Sequence, residues 1–124
     1  MMFDKQTLEM ILKGKKTQTR RLRKDDNRPA VPGNIHKLKI DRSQKTYGYI
    51  EILSCEKAVF GDITQKDARE EGFKDIEEYT EYFKSVNGDV NKSTPIWVIK
   101  FKLVKVKTKY FIQAIKKSLT NILG

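Results

Sequence analysis

At 124 residues with a single cysteine, the chain is sized for one domain that buries its core without internal disulfides. One histidine, His36, excludes a metal centre built on two imidazoles, and no metal or cofactor is expected; the longest aliphatic or aromatic run, residues 96–99, is far too short to span a bilayer, so a cytoplasmic protein away from membranes is expected. The net charge of +10 is unevenly placed, with +8 in residues 1–45, −6 in residues 46–91 and +8 in residues 92–124, which makes a polyanion such as RNA one natural partner and a lysine-rich solvated surface the plainer alternative.

Asp4 reads as an N-cap, Phe3 and Leu8 as a hydrophobic staple, and Leu8, Ile11 and Leu12 as one apolar face, predicting a helix over residues 5–13. Gly14 suits the left-handed position that ends a helix, where Lys13, Lys15 and Lys16 also complement the negative end of the dipole. From Gly14 to Arg21 one turn glycine, four cations and two hydroxyls share eight residues. A strand over residues 17–22 puts Thr17, Thr19 and Arg21 on one face and Gln18, Arg20 and Leu22 on the other. Lys16 and Thr19 fall on opposite faces of an ideal strand, so contact between them requires Lys16 to lie in the turn.

Residues 23–33, rich in charge and holding Pro29 and Pro32, read as an exposed loop. A strand over 35–40 follows, with His36 a packed or surface residue rather than a base. It pairs through a 41–45 turn with a strand over 46–57, where Tyr47, Tyr49 and Leu53 oppose Ile50 and Ile52 and where Cys55 is a small core residue.

Thr64 and Asp67 form a capping box and Gly72 a stop, predicting a two-turn helix with Glu71 at its end. There the helix dipole raises a carboxylate's pKa and suits it to donate a proton; the alternative is a solvated helix residue. Asp75 and Glu78 cap the next helix, whose Ile76, Tyr79, Phe83 and Val86 keep helical spacing up to Asn87, with Glu77, Glu78 and Glu81 toward water and Tyr79 and Tyr82 read as packing. Pro95 opens the clearest strand, with Trp97, Ile99, Phe101 and Leu103 on one face. Beyond it Phe111, Ile112, Ile115, Leu119 and Ile122 form an apolar stripe with Lys109, Lys116 and Lys117 off it.

Gly14, Lys16 and Arg21, with the stretch from Asp67 to Phe73 and the W-V-I-K-F run at 97–101, resemble the ASCH domain and its G-x-K-x-x-E-x-R signature. Thr19 stands where that pattern has glutamate, and in this the chain resembles the small amidohydrolase branch that acts on N4-acetylcytidine. The resemblance implies an α+β, PUA-like mixed β-barrel with flanking helices over residues 1–106. Residues 107–124 are then an extra basic amphipathic helix, packed on the domain of a monomer or joining a homodimer. Three functions follow as expectations. The first is an RNA- or nucleotide-binding domain in which Lys15, Lys16, Arg20 and Arg21 hold phosphates and an unpaired base enters the cleft. The second is an amidohydrolase on N-acylated cytidine, with Thr19 as nucleophile, Lys16 as base, Glu71 as acid and Arg21 holding the substrate or the oxyanion. The third is a nuclease on single-stranded RNA.

Overall fold

Asp4 accepts a hydrogen bond from the Thr7 N–H (2.8 Å) and opens helix α1, Lys5–Leu12, whose Leu8, Ile11 and Leu12 are buried. Gly14, at φ +78°, takes the left-handed conformation that reverses the chain. The Lys15 and Lys16 N–H groups then both donate to Met10 O, at 2.8 and 3.2 Å, and the Thr17 N–H donates to Glu70 O at 2.8 Å. The turn is thus fixed from two sides before strand β1, Gln18–Leu22, begins. These contacts come from a computed structural model that describes residues 1–107, so the C-terminal amphipathic helix expected over 107–124 lies, from residue 108 on, outside the described residues.

Strands β2 (Ile35–Leu38), β3 (Gly48–Val59) and β4 (Pro95–Val106) join β1 in one sheet of order β1-β4-β3-β2, with every neighbouring pair antiparallel. The expected pairing of β2 with β3 is present, although β3 runs two residues later at each end than its alternation predicts. Strict alternation would send Ser54 inward after Ile50 and Ile52. A register shift between Ile52 and Ser54 places Cys55 in the core instead and leaves Leu53 exposed. On β4, Trp97, Ile99 and Phe101 are buried on one face as expected, and Ile96 is fully buried as well, packed with residues of the two helices that precede β4 in the chain.

Helix α2, Gln65–Glu70, has the complete capping box: Asp67 N–H donates to Thr64 Oγ1 (3.1 Å) and Thr64 N–H to Asp67 Oδ2 (2.9 Å). Glu71 is its C-cap, and Gly72 follows at φ +100° with its α-carbon against Met10, where an added Cβ would stand 2.5 Å from the methionine sulfur. The end of α2 is thereby pressed onto α1. Helix α3, Ile76–Asn87, is capped by Asp75, buries Tyr79 and Phe83, and exposes Glu77, Glu78 and Glu81. Two apolar clusters result, one between the sheet and α1 and the other joining α2 and α3 to the start of β4.

The fold is α+β, but the expected mixed barrel does not close. The short strands β1 and β2, of five and four residues, stand at opposite edges of the sheet without pairing, and all strand pairings are antiparallel. The segment before α1 spans the gap. It touches β2's continuation through a single parallel bridge between Met2 and Lys39, with Phe3 N–H donating to Lys39 O (2.8 Å) and Lys39 N–H to Met1 O (3.1 Å). On the other side Arg21 Nη2 donates to Met2 O (2.8 Å). One seam of the would-be barrel is therefore stitched rather than laddered.

Candidate functional site

A cavity of about 350 Å³ opens along this seam, between the two apolar clusters. The segment before α1, β1, Glu71 and α3 all contribute walls, and Lys16, Thr19, Arg20, Arg21 and Glu71 line it together. Lys15, offered with them as a cation, is exposed in the turn and is not among the lining residues. The geometric condition on Lys16 is met, because the residue precedes β1 and lies in the turn.

At the floor Lys16 Nζ donates to Glu71 Oε1 at 2.7 Å and to Glu71 O at 3.4 Å, with the two side chains only 2% and 1% exposed. The end of α2 thus delivers a carboxylate to the cation carried by the turn after α1. Burial pulls the Lys16 ammonium below its ordinary value and pushes the Glu71 carboxyl above its own, in each case against the attraction of the partner. Both directions favour the neutral amine beside the neutral acid. Glu71 is therefore no solvated helix residue.

Thr19, also buried, shares a strand face with Arg21, whose Nε donates a long hydrogen bond (3.4 Å) to Thr19 Oγ1. The Arg21 guanidinium lies 4.9 Å from the Phe3 ring centroid, held there by Met2 O. Arg20 leaves the opposite face of β1, as alternation requires, although it too borders the cavity. Its Nε donates to Gln18 Oε1 (2.9 Å) and its Nη2 meets Asp67 Oδ2 (3.2 Å), while Gln18 Nε2 donates to Asp67 Oδ1 (3.2 Å) and Glu70 Oε2 (3.0 Å). Lys16 and Arg20 are consequently both paired inside the protein. In two residues that border the cavity, the buried atoms Arg20 Nη1 and Glu71 Oε2 make no hydrogen bond of good geometry within the protein.

Periodicity concealed part of the site. Tyr79 and Tyr82, read as packing, pack indeed against Phe73 and one another but also line the cavity. Burial first, then the charge of Glu71, raises the Tyr79 phenol; burial and a hydrogen bond to Asp4 raise that of Tyr82, whose hydroxyl donates to Asp4 Oδ2. Asp4 is thus both helix cap and cavity wall, and no pattern in the sequence separates the two roles. Val86, placed on the apolar stripe of α3, is exposed at the cavity, as are Met2 and Ile40. Among the described residues no group of three or more His, Cys, Asp or Glu is disposed to hold a metal ion, and no helix is long and apolar enough to cross a membrane.

The ASCH domain family model matches residues 1–105. Among solved structures the chain is similar to an ASCH domain from Lactobacillus crispatus JV V101, with a TM-score of 0.66 and 17% identity over 80% of this chain and 70% of that one. It is similar to protein EF3133 from Enterococcus faecalis V583 (TM-score 0.63, 17% identity, 83% of this chain and 72% of that one). It is also similar to ASCH from Zymomonas mobilis (TM-score 0.55, 15% identity, 89% of this chain and 73% of that one). Likeness at these identities speaks for the fold alone. None of the curated proteins matches the chain.

Proposed function

The chain belongs to the ASCH domain family, and from that premise we propose that its cavity hydrolyses the amide of an N-acylated cytosine. The observation that carries this is the buried 2.7 Å contact of Lys16 with Glu71 on a wall that Thr19 shares. A threonine hydroxyl becomes a nucleophile only beside a base, and a lysine serves as that base only when neutral. Burial favours the neutral lysine here and, in the same contact, the protonated glutamate.

In the first half-reaction Thr19 Oγ1 bonds to the acyl carbon and its proton passes to Lys16 Nζ. Arg21 supplies positive charge beside the attacking oxygen. As the carbon–nitrogen bond breaks, Glu71 gives its proton to the leaving 4-amino nitrogen, leaving an acyl ester on Thr19, an ammonium and a carboxylate. In the second, water attacks the ester and yields a proton to Glu71, while the Thr19 oxygen leaves and recovers its proton from Lys16. Cytosine nucleoside and a carboxylic acid are released, and every group returns to its starting state. Residues on both sides of the seam give the substrate a slot with Tyr79, Tyr82 and Phe3 for a flat ring.

The test is acetate release from N4-acetylcytidine. Wild-type protein is expected to release it, and Thr19→Ala to lose at least about a hundredfold in rate while keeping its circular dichroism spectrum. Equal rates in the two proteins would remove Thr19 from the chemistry.

A second reading, RNA or nucleotide binding, is favoured by the net charge of +10 and by the exposed Met2, Ile40 and Val86 at the cavity. A free nucleoside has no use for such charge, whereas a strand presenting one unstacked base gains from it. Under this reading the same pocket holds the base and the outer cations, Lys15 among them, hold the strand. Cleavage of a single-stranded RNA incubated with the protein would support the nuclease reading.

A further inference from the structure

The outer face of the sheet is covered at one end only. Ile96 and Val98 of β4 and Ala58 of β3 pack under α2 and α3, and that cluster takes in nothing of β4 beyond Val98. Past this point the face is open among the described residues: Lys100, Lys102 and Lys105 are exposed on β4, Leu53 is 50% exposed on β3 and Ile35 is 53% exposed on β2. It is the reverse of the face from which Thr19 and Arg21 reach the cavity. Those two stand opposite the buried Ile99 and Trp97, whereas Lys100 stands opposite Gln18.

Register explains how the lysines come to share one side. Lys100 and Lys102 alternate with the buried Ile99 and Phe101, but strict alternation would turn Lys105 inward. Tyr49 stands opposite Lys105 while Ile50 stands opposite Leu103, so Val104 is an extra residue, a bulge that returns Lys105 to the outside. Tyr49 is also the partner of Lys37 on β2. One rung across three strands therefore reads Lys37, Tyr49, Lys105: a half-buried phenol ring between two exposed lysines whose Cα atoms stand about 10 Å apart. The next rung reads Ile35, Glu51, Lys102.

Charge on this open end is mostly of one sign. Glu51 supplies a carboxylate 3.8 Å from Lys102 Nζ, a contact too loose and exposed to cancel the cation. Among the described residues Lys37, Lys100 and Lys105 are in no ion pair. A positive face with an aromatic ring and exposed aliphatic side chains suits a flexible polyanion that also carries flat rings, which is a single-stranded nucleic acid. A duplex keeps its bases stacked and offers only their edges, so it cannot lay one on Tyr49.

We infer that the open end of this sheet face is a docking surface for single-stranded RNA, with Lys37, Lys100, Lys102 and Lys105 on phosphates and Tyr49 under a base. The surface is separate from the cavity, and it stands whether or not the cavity hydrolyses an amide.

Fluorescence anisotropy of the full chain with a labelled oligouridylate of about 12 nucleotides tests this. Wild-type protein is expected to bind it, with an affinity that falls as salt rises. The triple variant Lys37→Gln, Lys102→Gln, Lys105→Gln is expected to bind at least about tenfold more weakly at roughly 100 mM salt, and to lower the slope of log affinity against log salt by about 2. Tyr49→Leu is expected to weaken binding about fivefold or more with the slope unchanged, because stacking releases no counterion. Should Tyr49→Leu fail to fold, the triple variant decides alone. An oligouridylate that does not bind, or that binds the triple variant with wild-type affinity and slope, overturns the inference. So does a polyglutamate that competes as well as the RNA while Tyr49→Leu changes nothing, which would make the partner an acidic protein segment. Acetate release is a separate measurement on the same protein, so hydrolysis and strand binding can each fail alone.

Discussion

Lys16 and Glu71 form a coupled pair in which burial works against both charges, so their titration belongs to the pair rather than to either residue. Under the proposed hydrolysis, a second proton gained at low pH charges Lys16 and removes the base it would supply. At high pH the pair loses the proton it shares, which ionises Glu71 and removes the acid. The rate constant kcat/KM for acetate release is therefore expected to follow a bell in pH. Glu71→Gln cannot donate the proton and is expected to fall by roughly 10²–10⁴-fold, with the alkaline limb flattened because the remaining group, Lys16, is the better base the higher the pH. A pH profile of the variant with its alkaline limb intact would take Glu71 out of the acid role. Lys16, Thr19 and Glu71 were singled out in sequence by their likeness to the ASCH pattern, and the fold brings the three to one cavity. Arg20 was legible as a cation but not as a paired one, since its partner Asp67 enters through the packing of α2 on β1 and not through any local pattern. Tyr79 and Tyr82 were hidden for a different reason: helical periodicity identifies an inward face, and an inward face is the same whether it meets core or cavity.

At the scale of elements, α2 does more than its six residues imply. Asp67 caps the helix and at the same time holds Arg20 and Gln18. Partial burial would raise this carboxyl, yet the Thr64 amide, Gln18, the Thr64 hydroxyl and Arg20 together hold it below its ordinary 3.8. Because the folded value is the lower one, Asp67 contributes stability that is fully present above the unfolded value near 3.8 and is lost as pH falls through the folded one. Asp67→Asn is accordingly expected to be less stable than wild type at neutral pH, with the gap closing below about pH 3.8, as read from urea midpoints taken between neutral and acid pH. A gap that stays constant down that range would mean the carboxylate's charge is not what matters. The helices and strands themselves were legible to within a few residues, since caps, glycines and alternation are local. The β3 register shift was not, because it depends on which residue opposes β4.

For the molecule as a whole, the sequence correctly placed the chain among α+β folds, while the barrel stays open because β1 and β2, at opposite edges of the sheet, do not pair. Charge is the other property at this scale. If the outer cations engage a strand of RNA, affinity is expected to fall at least about tenfold between roughly 50 and 200 mM salt, by filter binding or fluorescence anisotropy, whereas cytidine binding in the pocket should hardly change. Salt-insensitive RNA binding would remove the phosphate-contact reading.

The stitched seam has its own consequence for what the pocket tolerates. Parting it breaks a few bonds at Met1, Phe3, Lys39 and Arg21, far fewer than separating the laddered strands, so among the described residues it opens more cheaply than the sheet. Lys16, Thr19 and Glu71 hang instead from α1, β4 and α2 and would stay put while the wall opposite swings. Hydrogen exchange at the Phe3 and Lys39 amides is expected to run faster than at Ile50 or Ile99. Acyl groups longer than acetyl should then be accepted by widening at this edge, with the reacting atoms still in register.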